Sequence, residues 1–127
     1  GSSARGAGPY TLDTFADDLA AVMDGIGWTE AVVAGCSMGG CVAQAFGARH
    51  GARARGLVLI DTTAWYGPDA PRAWRERVAT ARQKGLAALA DFQATRWFGD
   101  RFRADHPEAL RERMAAFLAT DLDGYAW

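Results

Sequence analysis

The sequence predicts an α/β fold, a parallel sheet with flanking helices, followed by an all-helical region. Two short apolar runs, residues 31–34 and 56–60, are typical of parallel strands buried on both faces, and a helical pattern lies between them. After residue 67 the strand pattern stops and only helical periodicity continues. We therefore expect an α/β region over residues 1–67 and a helical region over residues 68–127.

The first predicted element is a helix that begins at the N-cap Thr11 and ends at the glycines Gly25 and Gly27. Its larger apolar side chains recur at helical spacing and predict one buried face: Leu12, Phe15, Leu19, Val22, Met23 and Ile26. Its aspartates suit the helix N-terminus and a solvated face better than a metal site. Trp28, in the connection to the next strand, is expected to pack beneath this helix.

A second helix is predicted from Cys41 to His50, so residues 31–60 are expected to form one βαβ unit. The remaining helices follow from apolar periodicity and from prolines suited to a first helical turn. Their predicted ranges are Pro71–Lys84, Leu86–Trp97 and Pro107–Thr120. The segment Phe98–His106 is predicted to be a connection.

The turn between the first strand and the second helix matches the pattern G-x-S-x-G, with Ser37 at its centre. Between a strand and a helix, such a serine adopts strained backbone geometry and can attack a carbonyl carbon. The backbone N–H of the next residue, Met38, is then one donor for the resulting oxyanion. The alternative is a structural glycine turn, since the chain holds 15 glycines in 127 residues, but the strand before and the helix after favour a nucleophile.

Composition excludes several other classes of function. The formal net charge is −1, which gives no indication of nucleic acid or of an anionic membrane as partner. No apolar run reaches membrane-spanning length and no signal-peptide pattern is visible, so we expect a cytoplasmic location. The two cysteines, Cys36 and Cys41, form neither a disulfide framework nor a metal signature. We expect no metal, no organic cofactor and a small-molecule substrate, while the oligomeric state stays open.

Two predicted strands are too few for an independent parallel sheet, because at least three strands with covered faces are needed. The first helix also has no preceding strand from which it could cross over. We therefore expect that the chain is truncated at both ends.

Several segments resemble the α/β-hydrolases, and most closely the 3-oxoadipate enol-lactonase group. In the α/β region the resemblance lies in TLDTFADDLAAVMDGIGW, VVAGCSMGGCVAQAFGARH and GLVLIDTTAWYG. In the helical region it lies in TRWF and DLDGYA. The GCSMGG turn is specific to the superfamily, whereas the two helical segments favour the enol-lactonases.

The resemblance implies a partial α/β-hydrolase fold. Residues 31–35 would be the strand that presents the nucleophile, residues 56–60 the next strand, and residues 68–127 a helical cap, or lid, inserted after it. Strands before residue 1 would supply the second oxyanion donor. Strands after residue 127 would supply the catalytic acid and then the histidine, since the triad order in this fold is serine, acid, histidine.

The residues present offer few other partners for Ser37. His50 ends the helix that starts at Ser37, about 18 Å or more away at the helical rise, which excludes it as the base. His106 precedes a helix start and is better interpreted as a cap or surface residue. Asp61 follows the strand beside that of Ser37, at the sheet edge where active sites of α/β proteins lie, so it is an alternative triad acid or a structural strand-end residue.

The same resemblance implies a lactone that bears a carboxylate, for which arginine is a suitable ligand. Arg96 is the preferred candidate, ahead of Arg101 and Arg103, and each can instead be a solvent-exposed arginine. Pocket-lining tryptophans are also expected, although each can instead belong to the core of the cap: Trp65, Trp97 and Trp127.

The sequence thus predicts a serine hydrolase of a small carboxylate-bearing lactone or ester, similar to 3-oxoadipate enol-lactonase in aromatic catabolism. Another small-molecule hydrolase, a carboxylesterase or a carbon–carbon bond hydrolase, is the alternative within the class. A non-enzymatic interaction module or inactive remnant is the alternative outside it. The 127-residue chain alone is expected to be poorly stable and inactive, because the base is missing and the sheet has open edges.

Overall fold

The computed structural model of the protein describes residue 6 and residues 8–126. Residues 8–67 belong to one compact unit and residues 68–126 to another. The first unit contains two helices, two strands and a short 3-10 turn: α1 (Leu12–Gly25), β1 (Ala31–Cys36), α2 (Met38–Arg49), the 3-10 turn Gly51–Arg53 and β2 (Ala54–Ile60).

β1 and β2 pair in parallel, and α2 connects them, which is the predicted βαβ unit. Ala34 lies opposite Val58 and Cys36 lies opposite Ile60. Because the strands are parallel and end at the same register, the residues that follow them emerge at the same edge of the sheet. These residues are Ser37 and Asp61.

The core of the first unit is formed mainly by small side chains of α1 and α2 packed on β1. Its buried members are Ala16, Ala20, Met23, Val33, Ala43 and Phe46, of which Phe46 is the largest and fully buried. Thr11 caps α1 as predicted, since its hydroxyl accepts a 3.0 Å hydrogen bond from the N–H of Thr14. The predicted buried face of α1 is partly wrong, because Leu12, Val22 and Ile26 are exposed.

Two buried alanines of α1 explain why the larger apolar residues are exposed. Ala16 and Ala20 lie one turn apart and are both buried, so their small side chains let α1 pack closely on its neighbours. The larger residues then lie beside the contact rather than within it. A prediction based on the largest apolar side chains therefore placed the centre of the buried face at the wrong residues.

One face of the sheet is exposed and the other is only partly covered, so the predicted burial on both faces is wrong. Val32, Val58 and Ile60 are 62%, 46% and 50% exposed. The helices of this unit pack on the opposite face, where Val33 is buried but Leu59 is still 46% exposed. Trp28 is also exposed, which contradicts its predicted packing beneath α1.

Ion pairs connect the C-terminal end of α2 to α1. The Arg49 guanidinium binds the carboxylates of Asp17 and Asp13 at 2.8 and 3.2 Å, and His50 Nε2 lies 2.8 Å from Asp17 Oδ1. Hydrogen bonding to Arg49, and then to His50, holds the pKa of Asp17 below its usual value. Asp13 and Asp17 therefore form ion pairs with α2, whereas the sequence predicted only a solvated face.

Helices make up the second unit: α3 (Ala70–Lys84), a 3-10 turn (Leu86–Leu89), α4 (Ala90–Trp97), α5 (Asp100–Asp105), α6 (Pro107–Leu118) and α7 (Leu122–Ala126). Its buried core consists of Ala81, Leu86, Leu89 and Phe117. The predicted connection at 98–106 contains the short helix α5, which is only 6 residues long and has too few turns to show a periodic pattern. In the part of the chain that the structure describes, no helix is both long and apolar enough to span a bilayer.

We expect Asp17→Asn to lower the stability of the first unit near neutral pH and to flatten its acid dependence. The pKa of Asp17 is lower in the folded chain than the unfolded value of 3.8. Its ion pairs therefore stabilise the fold above that value and lose this effect as the pH falls through the lowered folded pKa. Urea unfolding midpoints at neutral pH and at about pH 3 measure the change.

The neighbouring substitution Asp18→Asn is the control. Asp18 is exposed on the same helix, and no hydrogen bond or ion pair joins it to another described residue. An equal effect of the two substitutions would mean that general helix charge, rather than the Arg49 and His50 contacts, is responsible.

Candidate active site

Ser37 lies in a sharp turn between β1 and α2, with φ 54° and ψ −120°. A positive φ is uncommon for a residue with a Cβ, and such strain costs on the order of 1–3 kcal/mol where the surroundings enforce it. The N–H of Ser37 donates to the carbonyl of Ile60 at 2.9 Å, and its own carbonyl accepts from the N–H of Gly40 at 2.9 Å. The side chain is exposed, as a reacting hydroxyl requires.

Two glycines make room for this turn. A Cβ on Gly35 would lie 2.0 Å from the carbonyl oxygen of Gly39, and a Cβ on Gly40 would lie 2.5 Å from the side chain of Thr62. A Cβ on Gly39, the second glycine of the pattern, would meet no atom within 4 Å. The close approach of β1 to α2 therefore requires glycine at 35, and the Thr62 side chain requires glycine at 40, but neither contact requires it at 39.

Met38 begins α2 at the carboxyl edge of the sheet, and its side chain is 60% exposed. The turn bonds of this helix start at the N–H of Gly40, which donates to the Ser37 carbonyl. The N–H of Met38 therefore belongs to the first-turn amides that have no acceptor within the helix. Together with the positive end of the helix dipole, this is a suitable environment for a developing negative charge.

Asp61 follows β2 directly and, like Ser37, has a positive φ, here 44°. The two residues are adjacent at the sheet edge because the N–H of Ser37 binds Ile60, the residue before Asp61. Asp61 is exposed, and no hydrogen bond or ion pair joins it to another described residue. Its position suits an acid at the site, but no histidine of the first unit contacts it.

His50, the histidine of the first unit, is not bound to Ser37. His50 lies at the other end of α2, where its ring contacts Asp17 and Phe46. His106 lies at the junction of α5 and α6, and its ring packs 4.9 Å from that of Phe102. The sequence interpretation of both residues agrees with these contacts.

A polar network beside Ser37 was missed from the sequence. The hydroxyl of Thr62 donates to the Ser37 carbonyl at 2.7 Å, and Cys41 Sγ lies 3.5 Å from the same hydroxyl. Cys41 Sγ also lies 3.4 Å from the carbonyl of Thr63, which accepts from Gln44 Nε2 at the same distance. The available signal was the pair of threonines directly after the second strand, at the carboxyl edge of the sheet.

The expected substrate-binding residues fall in both units. Trp65 belongs to the first unit and is 72% exposed. In the second unit Trp97 is 48% exposed and packs edge-on against Phe117, with ring centroids 5.5 Å apart. Trp127 lies outside the described residues.

The arginine candidates differ in their partners. Arg96 is exposed, and no ion pair joins it to another described residue. Arg101 binds the carboxylate of Asp105, and Arg103 binds that of Asp100. Arg96 is therefore the one of these three whose charge is not already compensated within the described residues.

Comparison with known proteins identifies the family. The model of the alpha/beta hydrolase fold family matches residues 1–125. The chain therefore belongs to the α/β-hydrolase fold family, and the predicted fold class is confirmed.

Within this family the chain is similar to enol-lactonases. It is 31% identical over 126 residues to 3-oxoadipate enol-lactonase 2 of Acinetobacter baylyi, covering 99% of this chain and 46% of that protein. The crystal structure of an enol-lactonase from Burkholderia xenovorans superposes with a TM-score of 0.91 at 36% identity, covering 99% of this chain and 48% of that one. The predicted resemblance is confirmed.

A solved esterase is nearly as similar. The thermophilic esterase of Thermogutta terrifontis superposes with a TM-score of 0.90 at 31% identity, covering 99% of this chain and 47% of the esterase. The chain spans about half the length of the curated relatives it matches.

We expect Gly35→Ala to reduce the free energy of unfolding by about 3 kcal/mol or more, because the new Cβ would overlap the Gly39 backbone, which cannot move without shifting α2. The matched control is Gly39→Ala, which we expect to stabilise the chain by about 0.5–1 kcal/mol, since its Cβ meets open space and alanine favours the helix. Urea unfolding of both variants measures the difference. If both substitutions destabilised the chain equally, the Cβ overlap at Gly35 would not explain the effect, and the conformational freedom of glycine would be the cause at both positions.

Proposed function

We propose that the protein is a serine hydrolase of a small carboxylate-bearing lactone or ester, of the 3-oxoadipate enol-lactonase type, which acts in aromatic catabolism. The observation that supports it best is the exposed Ser37 in a strained turn between a strand and a helix N-terminus. A strained backbone such as φ 54° is common at functional sites, whereas a serine without a role in the reaction could occupy an unstrained turn. The similarity to the two enol-lactonases supports the lactone as substrate.

In the proposed reaction the Ser37 hydroxyl attacks the lactone carbonyl and forms a tetrahedral intermediate. The N–H of Met38 stabilises its oxyanion, and collapse opens the ring to give an acyl-enzyme, which water then hydrolyses. The serine needs a general base, and His50 is bound to Asp17 at the far end of α2. We therefore expect the base to come from sequence that the longer relatives contain, and the 127-residue chain alone to be inactive.

Asp61 is the candidate acid within the chain. Its exposed carboxylate at the same sheet edge as Ser37 would allow it to orient a histidine, although triad order in this fold favours an acid after the cap. We retain it as the alternative to an acid supplied by a later strand.

Arg96 is the proposed ligand for the substrate carboxylate. It is exposed and uncompensated by any described residue, and it lies beside Trp97, whose partly exposed ring offers an apolar surface. Trp65 and Trp127 are further proposed lining residues. An arginine binds a carboxylate through two parallel hydrogen bonds, which fixes both position and orientation.

A carboxylesterase is the second candidate, and the similarity to the Thermogutta terrifontis esterase favours it. The two candidates differ in substrate preference. Rates on the enol-lactone of 3-oxoadipate and on a simple aryl acetate, measured with the protein from its full reading frame, separate them. A preference for the aryl ester would overturn the lactonase proposal while leaving the serine hydrolase.

In the protein from its full reading frame, Ser37→Ala should abolish hydrolysis, with kcat lower by about 10⁴-fold or more, because the acyl-enzyme forms on the Ser37 hydroxyl. Labelling by a fluorophosphonate probe should disappear with it. The adjacent Cys36→Ala is the matched control, since Cys36 presents an exposed thiol next to the same turn. Activity that depends on Cys36 and survives in Ser37→Ala would contradict the proposal.

Arg96→Gln should raise KM for the carboxylate-bearing lactone by about 10- to 100-fold, the equivalent of one charge-assisted ion pair, and should leave KM for a neutral aryl ester unchanged. Arg101→Gln is the control, because Arg101 is already paired with Asp105. Steady-state kinetics on both substrates measure the effect. If Arg101→Gln had the larger effect on the lactone, the carboxylate ligand would be reassigned.

A further inference from the structure

The side chain of Thr62 makes a direct contact with the backbone of the candidate nucleophile. Its hydroxyl donates a 2.7 Å hydrogen bond to the carbonyl oxygen of Ser37, the shortest of the three that this oxygen accepts from described residues. The other two come from the N–H groups of Gly40 and Cys41, at 2.9 and 3.3 Å. Those two donors belong to α2, the helix that Ser37 itself starts, whereas Thr62 belongs to the segment after β2.

This contact matters because the backbone of Ser37 is strained. On its N-terminal side the N–H of Ser37 is held by the carbonyl of Ile60, and on its C-terminal side the carbonyl is held by the hydroxyl of Thr62. Residues 60 and 62 thus hold the turn from outside at both of its peptide groups. A strained conformation persists only when such surrounding contacts determine it.

The position of the Thr62 hydroxyl is itself fixed. The threonine side chain lies against Gly40, where a Cβ would approach it to 2.5 Å, and its β-branched carbon restricts rotation. The thiol of Cys41, which is 8% exposed, lies 3.5 Å from the hydroxyl on its other side. The glycine at 40 lies outside the G-x-S-x-G pattern, and its role is to admit this side chain.

We propose that Thr62 is a positioning residue that holds the Ser37 turn in its reactive conformation through the hydroxyl-to-carbonyl hydrogen bond. This proposal rests on the proposed function, because a positioning effect on catalysis requires Ser37 to be the nucleophile. Thr62 does not touch the substrate. Its loss therefore lowers the fraction of time that the Ser37 hydroxyl and the Met38 N–H are aligned, and leaves substrate binding unchanged.

The test compares Thr62→Val, which keeps the shape and removes the hydroxyl, with Thr62→Ser, which keeps the hydroxyl. In the protein from its full reading frame, with active sites counted by fluorophosphonate titration, we expect Thr62→Val to lower kcat by about tenfold, the equivalent of one hydrogen bond. KM should not change, and Thr62→Ser should recover most of the lost rate. Gly40→Ala, which pushes the Thr62 side chain away, should reproduce the Thr62→Val effect.

Thr80→Val is the control, because the Thr80 hydroxyl also donates to a backbone carbonyl, that of Glu76 within α3, and should leave kcat unchanged. A wild-type kcat per titrated site in Thr62→Val would overturn the proposal. Equal losses in Thr62→Val and Thr62→Ser would also overturn it, because the methyl group rather than the hydroxyl would then be responsible.

Failure of the proposed function is distinguishable from failure of this inference. Activity that survives Ser37→Ala overturns the nucleophile assignment. The structural part is tested separately by the amide NMR signals of Gly40 and Cys41, which share the Ser37 carbonyl with Thr62. These signals should shift in Thr62→Val and return in Thr62→Ser, and unchanged signals in Thr62→Val would overturn the role of the hydroxyl.

Discussion

The first unit depends on a backbone contact between β1 and α2 that leaves no room for a side chain. At Gly35 the strand approaches the Gly39 carbonyl so closely that a Cβ would lie 2.0 Å from the oxygen. Two residues later the chain passes from strand to helix at Ser37, which has a positive φ. Glycine at 35 thus permits the tight turn at which the exposed Ser37 lies.

The helix that follows Ser37 is held at both ends. At its N-terminus the Ser37 carbonyl binds Thr62 and the buried Cys41 lies among polar groups of the segment after β2. At its C-terminus Arg49 and His50 bind Asp17 of α1. A helix restrained in this way keeps its first-turn N–H groups in a fixed position relative to the serine, which is the preorganisation that oxyanion stabilisation requires.

The sheet, by contrast, is covered only in part and only on one face. Helices α1 and α2 pack on the face that carries Val33, while Val32, Val58 and Ile60 on the other face are about half exposed or more. Apolar residues at such positions are typical of parallel strands that are covered on both faces. The first unit therefore exposes apolar side chains on this face of its sheet.

The sequence by itself determined the βαβ unit, the helical second region, the family resemblance and the position of Ser37, because each depends on local spacing: apolar runs, helical periodicity and G-x-S-x-G. Only the tertiary structure decided that Ala16 and Ala20, rather than Leu12 and Val22, form the buried face of α1, since closeness of packing favours small side chains. Only it placed Thr62 on the Ser37 carbonyl and assigned Asp17 to Arg49 and His50. Thr62 and Ser37 are 25 positions apart in the sequence, and Arg49 and His50 are 32 and 33 positions from Asp17. Sequence spacing encodes which element forms, but contacts at that separation depend on how the elements are oriented in space.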